Sequence, residues 1–308
     1  MNQSKISPFL ERISPAHHHL FTGIDDVVRV PQSFTDSTHA LWSFQLNGEG
    51  CFLKLCNIEN NQLSQFWQLM KQLFSLDLPV VLDRYSEVYQ QVAQLSGVKV
   101  PELIAAVSNE SVSTHDYSGF LLSDFVQGSP LGPKAITDQH VKLLALHITS
   151  LHQSCSVTSG PLFSKSDELQ ISVDQWRKKL KATLLSFEDE SLGSNLEFNA
   201  DLVDKLVMKD FQIIMPDLRW DQFLQLDDGR LALVDLDAFV WGPKALELVL
   251  LEYLLNAEQA ELFKTIYCQV HVMPDLTIER QVYRFLLFKM NVLGVSDLGE
   301  WMSHPIRF

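Results

Sequence analysis

Two acidic positions, Asp217 and Asp235, carry the chemistry most directly readable from this chain. Asp217 lies in Met215-Pro216-Asp217-Leu218-Arg219-Trp220-Asp221-Gln222, and Asp235 follows the apolar run Leu231-Ala232-Leu233-Val234 and opens Asp235-Leu236-Asp237. Phe223 to Leu226 reads as one strand and Leu231 to Val234 as its partner, with Asp227-Asp228-Gly229-Arg230 as turn residues between them. A hairpin returns its two ends to one edge, so a carboxylate just before it and another just after it can face a common pocket. Two convergent acids are what magnesium-assisted phosphoryl transfer needs, and an ordinary core has no use for them.

Around these acids the chain resembles the aminoglycoside phosphotransferases and their relatives among small-molecule kinases, which share the protein-kinase-like fold. The family signature runs His-x-Asp, four residues, Asn, a hairpin, then an apolar-apolar-Asp element. Asp217 matches the catalytic-loop aspartate, Gln222 occupies the asparagine position, and Asp235 matches the metal-binding aspartate. Ala238 to Pro243 and the helix with Glu247 resemble the stretch that leaves the metal site. The resemblance implies ATP between two lobes, Mg2+ held by Asp235 with Gln222, and Asp217 accepting or orienting the proton of a substrate hydroxyl. Arg219 would stand near the incoming substrate and stabilise charge, with a surface salt bridge as the alternative; Asp237 would either help with the metal or cap the next turn. Two positions depart from the pattern. Met215 replaces the His, removing a loop brace while leaving the base, and Gln222 carries its carbonyl on an arm one methylene longer than asparagine's, where magnesium tolerates little error.

The elements that must position these groups lie upstream. Cys51-Phe52-Leu53-Lys54-Leu55 is an apolar strand entered from the turn Asn47-Gly48-Glu49-Gly50, with Lys54 its only cation. The family carries its phosphate-holding lysine there; the alternative is a lysine on the wet face of an edge strand. The helix from Arg84 to Leu95 resembles the family's glutamate helix, making Glu87 the candidate partner of Lys54, with Glu59 as competitor and a solvated helix glutamate as the plain alternative. Gly119 to Gly128 reads as a buried strand running into a turn; the resemblance makes it the hinge, where backbone groups around Ser123, Asp124, Phe125 and Val126 meet the adenine edge. A helix over about 137 to 152 ends in Leu151-His152, whose histidine reads as structural. The family's glycine-rich phosphate loop is missing: Pro31 to Thr38 holds no glycine, leaving Ser33, Thr35, Ser37 and Thr38 to meet phosphate with amides and hydroxyls.

The resulting expectation is an α+β, bilobal, protein-kinase-like fold with a small β-rich N-terminal lobe over 1–126 and a larger, mostly helical lobe over 127–308. Helical patterns recur at about 60–75, 171–188, 198–208, 244–256, 258–270 and 276–293. A chain of 308 residues that is 46% apolar and 20% charged can fill two such cores. Its net charge of −14 and lack of Lys and Arg clusters argue against nucleic acid. No apolar run reaches a membrane span and Met1 to Leu10 lacks a signal core, so a cytoplasmic protein is expected. Cys51, Cys56, Cys155 and Cys268 form no Cys-x-x-Cys pair and read as buried free thiols, and His17-His18-His19 as an exposed tract. Two rival readings stand beside a kinase for a small-molecule hydroxyl substrate. One is a catalytically impaired pseudokinase that binds nucleotide or a partner. The other is a haloacid-dehalogenase-like phosphatase using Asp235 and Asp237, whose motif departs at Phe239. Oligomeric state and the acceptor's identity are not readable.

Overall fold

Strands β1 (Ile24–Val30), β2 (His39–Leu46) and β3 (Glu49–Cys56) form an antiparallel meander whose second turn is set by Asn47 and Gly48. Both residues have positive φ, 54° and 87°, the geometry that matches the twist of the paired strands and that glycine adopts without strain. A computed structural model of the chain describes residues 8–31, 37–112, 115–163, 169–187 and 199–308. Helices α1 (Ile58–Leu63), α2 (Gln65–Phe74), α3 (Leu78–Val81) and α4 (Tyr85–Leu95) follow, then β4 (Leu103–Val107), the small hairpin β5 (Glu110–Val112) and β6 (His115–Tyr117), and β7 (Phe120–Asp124). The helix expected over 60–75 is interrupted at Ser64, whose extended backbone (φ −66°, ψ 119°) ends α1 and begins α2.

The sheet order β1-β2-β3-β7-β4 makes β3 central rather than an edge. Side chains alternate along a strand, so Cys51, Leu53 and Leu55 enter a core with Phe9, Phe21, Phe44, Phe120 and Leu122, while Phe52 and Lys54 face the other way. Only 8% of Lys54 is exposed, which removes the reading of a lysine on a wet edge.

The rest of the chain is mostly helical with short strands: β8 (Ser129–Pro130), α5 (Asp138–His152), β9 (Cys155–Ser156), β10 (Thr158–Pro161), β11 (Ile171–Ser172) and α6 (Val173–Leu185). The hairpin region adds β12 (Phe211–Ile214), β13 (Phe223–Gln225), β14 (Leu231–Leu233) and β15 (Val240–Gly242), and the C-terminal helices are α7 (Lys244–Leu254), α8 (Ala257–Tyr267), α9 (Thr277–Lys289) and α10 (Leu298–Met302). Residues Ala200–Lys205, expected as α-helix, wind as a tighter 3-10 segment capped by Asn199. The result is the expected α+β arrangement, β-rich at the N-terminal end and helical beyond.

The cores divide differently from the chain. Met70, Leu73 and Phe74 of α2 and Val88 and Val92 of α4 join one large cluster with Leu144, Trp176, Phe211, Leu250 and Leu286, while the N-terminal sheet keeps its own. Each such side chain contributes about 1.5–3 kcal/mol on burial, so α2 to α4 are held chiefly by what lies downstream of them. Val282, Phe285, Leu286 and Met290 are buried core residues of and beside α9, as expected. Cys51 and Cys56 are buried, but Cys155 and Cys268 are exposed because one lies on a two-residue strand and the other caps a surface helix. His17 is engaged by Glu110 at 2.8 Å and His18 by the Ile13 carbonyl at 2.9 Å, so the histidine tract is tied down rather than loose. Among the described residues no helix is long and apolar enough to cross a membrane.

Candidate active site

Lys54 and Asp235 meet 181 positions apart in sequence: the Lys54 ammonium donates to Asp235 Oδ1 at 2.5 Å and to Asp237 Oδ2 at 3.1 Å. The buried strand β3 supplies the lysine and the hairpin's exit supplies both acids. Burial opposes the charge on Lys54, yet the two carboxylates outweigh it and raise its pKa above the ordinary lysine value. Burial also opposes ionisation of Asp235, but the charge and hydrogen bond of Lys54 win and hold that carboxyl well below the usual range. Asp237 is raised instead, because its burial and the Asp235 charge exceed the pull of Lys54. His39 Nδ1 lies 3.4 Å from Asp237 Oδ2, and burial together with Lys54 pushes the imidazole down to about 3, so it stands there neutral. The Tyr85 hydroxyl donates to the Asp237 carbonyl.

The hairpin closes as expected. Val234 N–H donates to the Gln222 carbonyl at 3.0 Å, which seats the residue before Asp235 beside the catalytic loop. Lys99 ties β14 to the chain after α4 through 2.8 Å backbone bonds with Leu231 and Leu233. Asp217 and Asp235 line one cavity, and burial, with the Asp235 charge, raises the Asp217 carboxyl to about 7. Gln222 Nε2 donates to the Asp217 carbonyl at 3.1 Å and to Asp217 Oδ2 at 3.3 Å, while its own Oε1 accepts from Arg219 N–H at 2.8 Å. Gln222 therefore braces Asp217: the longer arm carries its carbonyl back onto the loop. The expectation of Gln222 as a metal ligand differs from this arrangement for that reason. Arg219 lines the same cavity, its side chain on Asp221 at 3.1 Å with Asp217 and Asp235 as further counter-charges.

Two cavities meet at this cluster. One, about 250 Å3, lies between Phe52, Lys54 and Tyr89 on one side and the turn after β7 on the other, and brings Ser123, Asp124, Phe125 and Val126 together with Lys54. Asp124 N–H donates to the Glu102 carbonyl at 3.0 Å and Phe125 N–H to the Gly50 carbonyl at 2.8 Å, so these two amides are committed to the sheet. Gly128 ends the segment where a Cβ would come within 2.9 Å of Leu224 Cβ, a close approach that only glycine allows. The other cavity, about 260 Å3, is reached past Asp217, Arg219, Asp235 and Asp237. Ser37 and Thr38 of the glycine-free loop line it; Ser33 and Thr35 lie outside the described residues.

The structure does not bring Glu87 to Lys54. Glu87 sits in the first turn of α4 and accepts from Arg84 at 2.7 and 2.9 Å, an exposed i,i+3 pair. The helix face turned toward the lysine carries Tyr85 and Tyr89 instead, four residues apart, and both are buried. The competing Glu59 side chain lies outside the described residues. Sequence reasoning missed Tyr85, Tyr89 and His39. The i,i+4 pair of tyrosines was a usable signal; His39 carried none, because its partner lies on a distant loop.

The loop that carries Asp217 is held from behind by a buried polar cluster. Glu247 of α7 accepts from Met215 N–H at 2.7 Å and lies 2.9 Å from His152 Nε2, and His152 Nδ1 meets the Tyr267 hydroxyl at 2.9 Å. His152 is structural, as expected, and Glu247 holds the backbone where Met215 offers no side-chain brace.

Magnesium was expected on Asp235, Gln222 and Asp237. Asp237 Oδ1 is buried with no hydrogen-bond partner, which suits a cation, and Asp235 lines both the ion cluster and the cavity. Among the described residues no group of three or more His, Cys, Asp and Glu is arranged to hold a metal alone. That donor set fits a magnesium ion completed by phosphate oxygens, the usual mode for this metal, with Asp235 and Asp237 as the protein's share.

Comparison with solved structures shows the same fold at low identity. The putative fructosamine-3-kinase from Haemophilus somnus 129PT is 14% identical over 91% of this chain and 89% of its own, with a TM-score of 0.53. The aminoglycoside phosphotransferase APH(4)-Ia is 13% identical over 92% and 93%, with a TM-score of 0.58. APH(2")-IIia, solved as its GDP and kanamycin complex, is 14% identical over 94% of both chains, with a TM-score of 0.53. No curated protein sequence matches the chain at a significant level. Residues 67–276, about two-thirds of the chain, match the family model described as the phosphotransferase enzyme family, and the chain belongs to that family.

Proposed function

We propose that this protein transfers the γ-phosphoryl group of ATP to a hydroxyl of a small polar molecule. The observation that carries this reading is the junction itself: Lys54 lines a largely apolar cavity and pairs with Asp235, which lines a second cavity together with Asp217. The apolar cavity suits a nucleobase; Lys54 suits its phosphates; Asp217 suits the acceptor hydroxyl. Structural relatives solved with ADP and hygromycin B or with GDP and kanamycin support a nucleotide on one side and a small acceptor on the other.

In this reading the acceptor oxygen forms a bond to the γ-phosphorus while the bond from that phosphorus to the β,γ-bridging oxygen breaks. ADP leaves with the bond's electron pair, and the hydroxyl proton passes to Asp217. A carboxyl raised to about 7 by burial and by Asp235 is a better proton acceptor at neutral pH than an ordinary aspartate. Gln222 fixes the orientation of that carboxyl, and Arg219 faces the space where charge develops. Asp235 and Asp237 would hold magnesium, which when bound neutralises the phosphate charge. Lys54 must exchange its two carboxylates for phosphate oxygens as nucleotide enters.

The deciding experiment is the thermal shift of the purified protein with ATP, with and without magnesium, beside Asp235→Ala. A magnesium-dependent rise in Tm that the variant loses supports the reading. No shift at millimolar ATP sinks it. One observation favours the second reading, a pseudokinase: the Gln222 carbonyl is spent on Arg219 N–H rather than offered to a metal. That version predicts a Tm rise with ATP but no ADP release with any acceptor.

A further inference from the structure

Helix α4 meets the acid cluster through a tyrosine. Glu87 is paired with Arg84, but the Tyr85 hydroxyl donates to the main-chain carbonyl of Asp237, 152 positions away. Tyr85 is 1% exposed, and among the described residues no backbone N–H donates to that carbonyl, so the phenol is its anchor. The Asp237 side chain is gripped separately. Its Oδ2 accepts from Lys54 of β3 at 3.1 Å and lies 3.4 Å from His39 Nδ1 of β2, while its Oδ1 is buried with no hydrogen-bond partner. Three elements converge on one aspartate: α4 on its backbone, β2 and β3 on its carboxylate.

Resting on the phosphotransferase reading above, we infer that Tyr85, with His39, is a positioning residue: together they fix the carboxylate that Lys54 releases as nucleotide enters and that magnesium takes up. The plain alternative is a buried tyrosine satisfied by the nearest acceptor. Two observations favour positioning. The acceptor belongs to the same residue that pairs with Lys54, so a backbone shift there moves a charged group and not only a turn. Asp237 Oδ1 has no partner of its own, so its aim is set by Tyr85 on the backbone and by Lys54 and His39 on Oδ2. Once Lys54 moves to the phosphates, Tyr85 and His39 are what remains of that grip. Magnesium demands near-ideal geometry at short distances, and removing a group that orients a metal's ligand typically costs about 10–100-fold in metal affinity. Helix α4 then acts on the site through Asp237 rather than through a glutamate on Lys54.

The test is the magnesium concentration that gives half of the magnesium-dependent rise in Tm at fixed ATP, beside calorimetric binding of ADP without magnesium. Tyr85→Phe removes only the hydroxyl. The inference expects it to raise the half-saturating magnesium concentration about tenfold while metal-free ADP affinity changes less than about twofold. Asp237→Asn should raise that concentration at least as far, and adding Tyr85→Phe to Asp237→Asn should raise it no further, because both act on one carboxylate. A lower Tm with an unchanged magnesium requirement makes Tyr85 a structural residue and overturns the inference, as does an additive double variant. If Tyr85→Phe fails to fold, His39→Leu carries the same readout: a raised magnesium requirement that His39→Asn largely restores supports the inference, and an unchanged one overturns it. A parent whose Tm rise with ATP needs no magnesium overturns the inference and leaves nucleotide binding standing. No rise at millimolar ATP removes the underlying reading and this one together.

Discussion

The two cavities that meet at Lys54 and Asp235 are built by different means. The cavity proposed for the nucleotide is made by regular strands: Phe52 and Lys54 alternate on β3, and Leu121 and Ser123 on β7, so one periodicity of two sets both walls. The cavity proposed for the acceptor is made by ends, namely the close of the loop before β2, the start of α2, the loop that carries Asp217 and the chain leaving α9. Strand register tolerates few changes without turning side chains to the other face, whereas helix ends and loops can vary with little effect on the core. At 13–14% identity to its structural relatives the chain keeps their fold, which strand register holds in place, while helix ends and loops are free to differ.

The largest effect is expected at Asp217. Asp217→Asn should lower acceptor-stimulated turnover about 10²–10⁴-fold while leaving the ATP-dependent Tm rise in place, since the base belongs to the acceptor side alone. An equal loss of nucleotide binding would show that the two sides are not separable. The same variant carries a stability signature. The Asp217 carboxyl has a folded-state pKa of about 7, above its unfolded value, so its ionised form costs stability above that pH, a cost relieved as pH falls toward the unfolded pKa. Asp217→Asn should therefore melt higher than the parent at pH 8 and lose that advantage near pH 4, and the parent's kcat/KM should fall below about pH 7.

Lys54→Met attacks the other side and the junction together. It strands Asp237, and to a lesser extent the one-third-exposed Asp235, without a cation, at a cost of about 3 kcal/mol in urea unfolding, and should abolish the ATP-dependent Tm rise. Retention of that rise would move the phosphate site away from β3. A smaller effect on rate is expected from Glu247→Ala, which leaves His152 and Met215 N–H without their buried partner. Stability should fall by about 2 kcal/mol and kcat about tenfold, with both KM values nearly unchanged. The smallest effect is expected from Glu87→Gln. An exposed pair with Arg84 is worth under about 1 kcal/mol, and ATP affinity should move less than about twofold; a loss as large as that of Lys54→Met would restore Glu87 as the lysine's partner.

Local patterns made the fold and half of the site legible. The hairpin from Phe223 to Leu233 could be read because turn residues separate two apolar runs, and Lys54 because it is the one cation in a strand entered through Asn47-Gly48. The apolar spacing over 60–75 carries through Ser64 and predicts one continuous helix, whereas the chain turns at Ser64 into two. Glu87 pairs with Arg84 rather than Lys54 for a physical reason. A helix presents only one face to the sheet, and the large buried surface of Tyr85 and Tyr89 decides which, leaving the glutamate to Arg84.

By itself the sequence determined the element types, the alternation that aims Lys54, and the hairpin that returns Asp217 and Asp235 to one edge, because all of these follow from spacings within a few residues. It took the tertiary structure to pair Lys54 with Asp235 and Asp237, to turn the Gln222 carbonyl onto Arg219 N–H, and to bring Trp67 and residues 291–294 to the cavity that Asp217 lines. These groups are brought together by the burial of α2, α4 and α9 in one core. No local spacing records where two distant helix ends will come to rest.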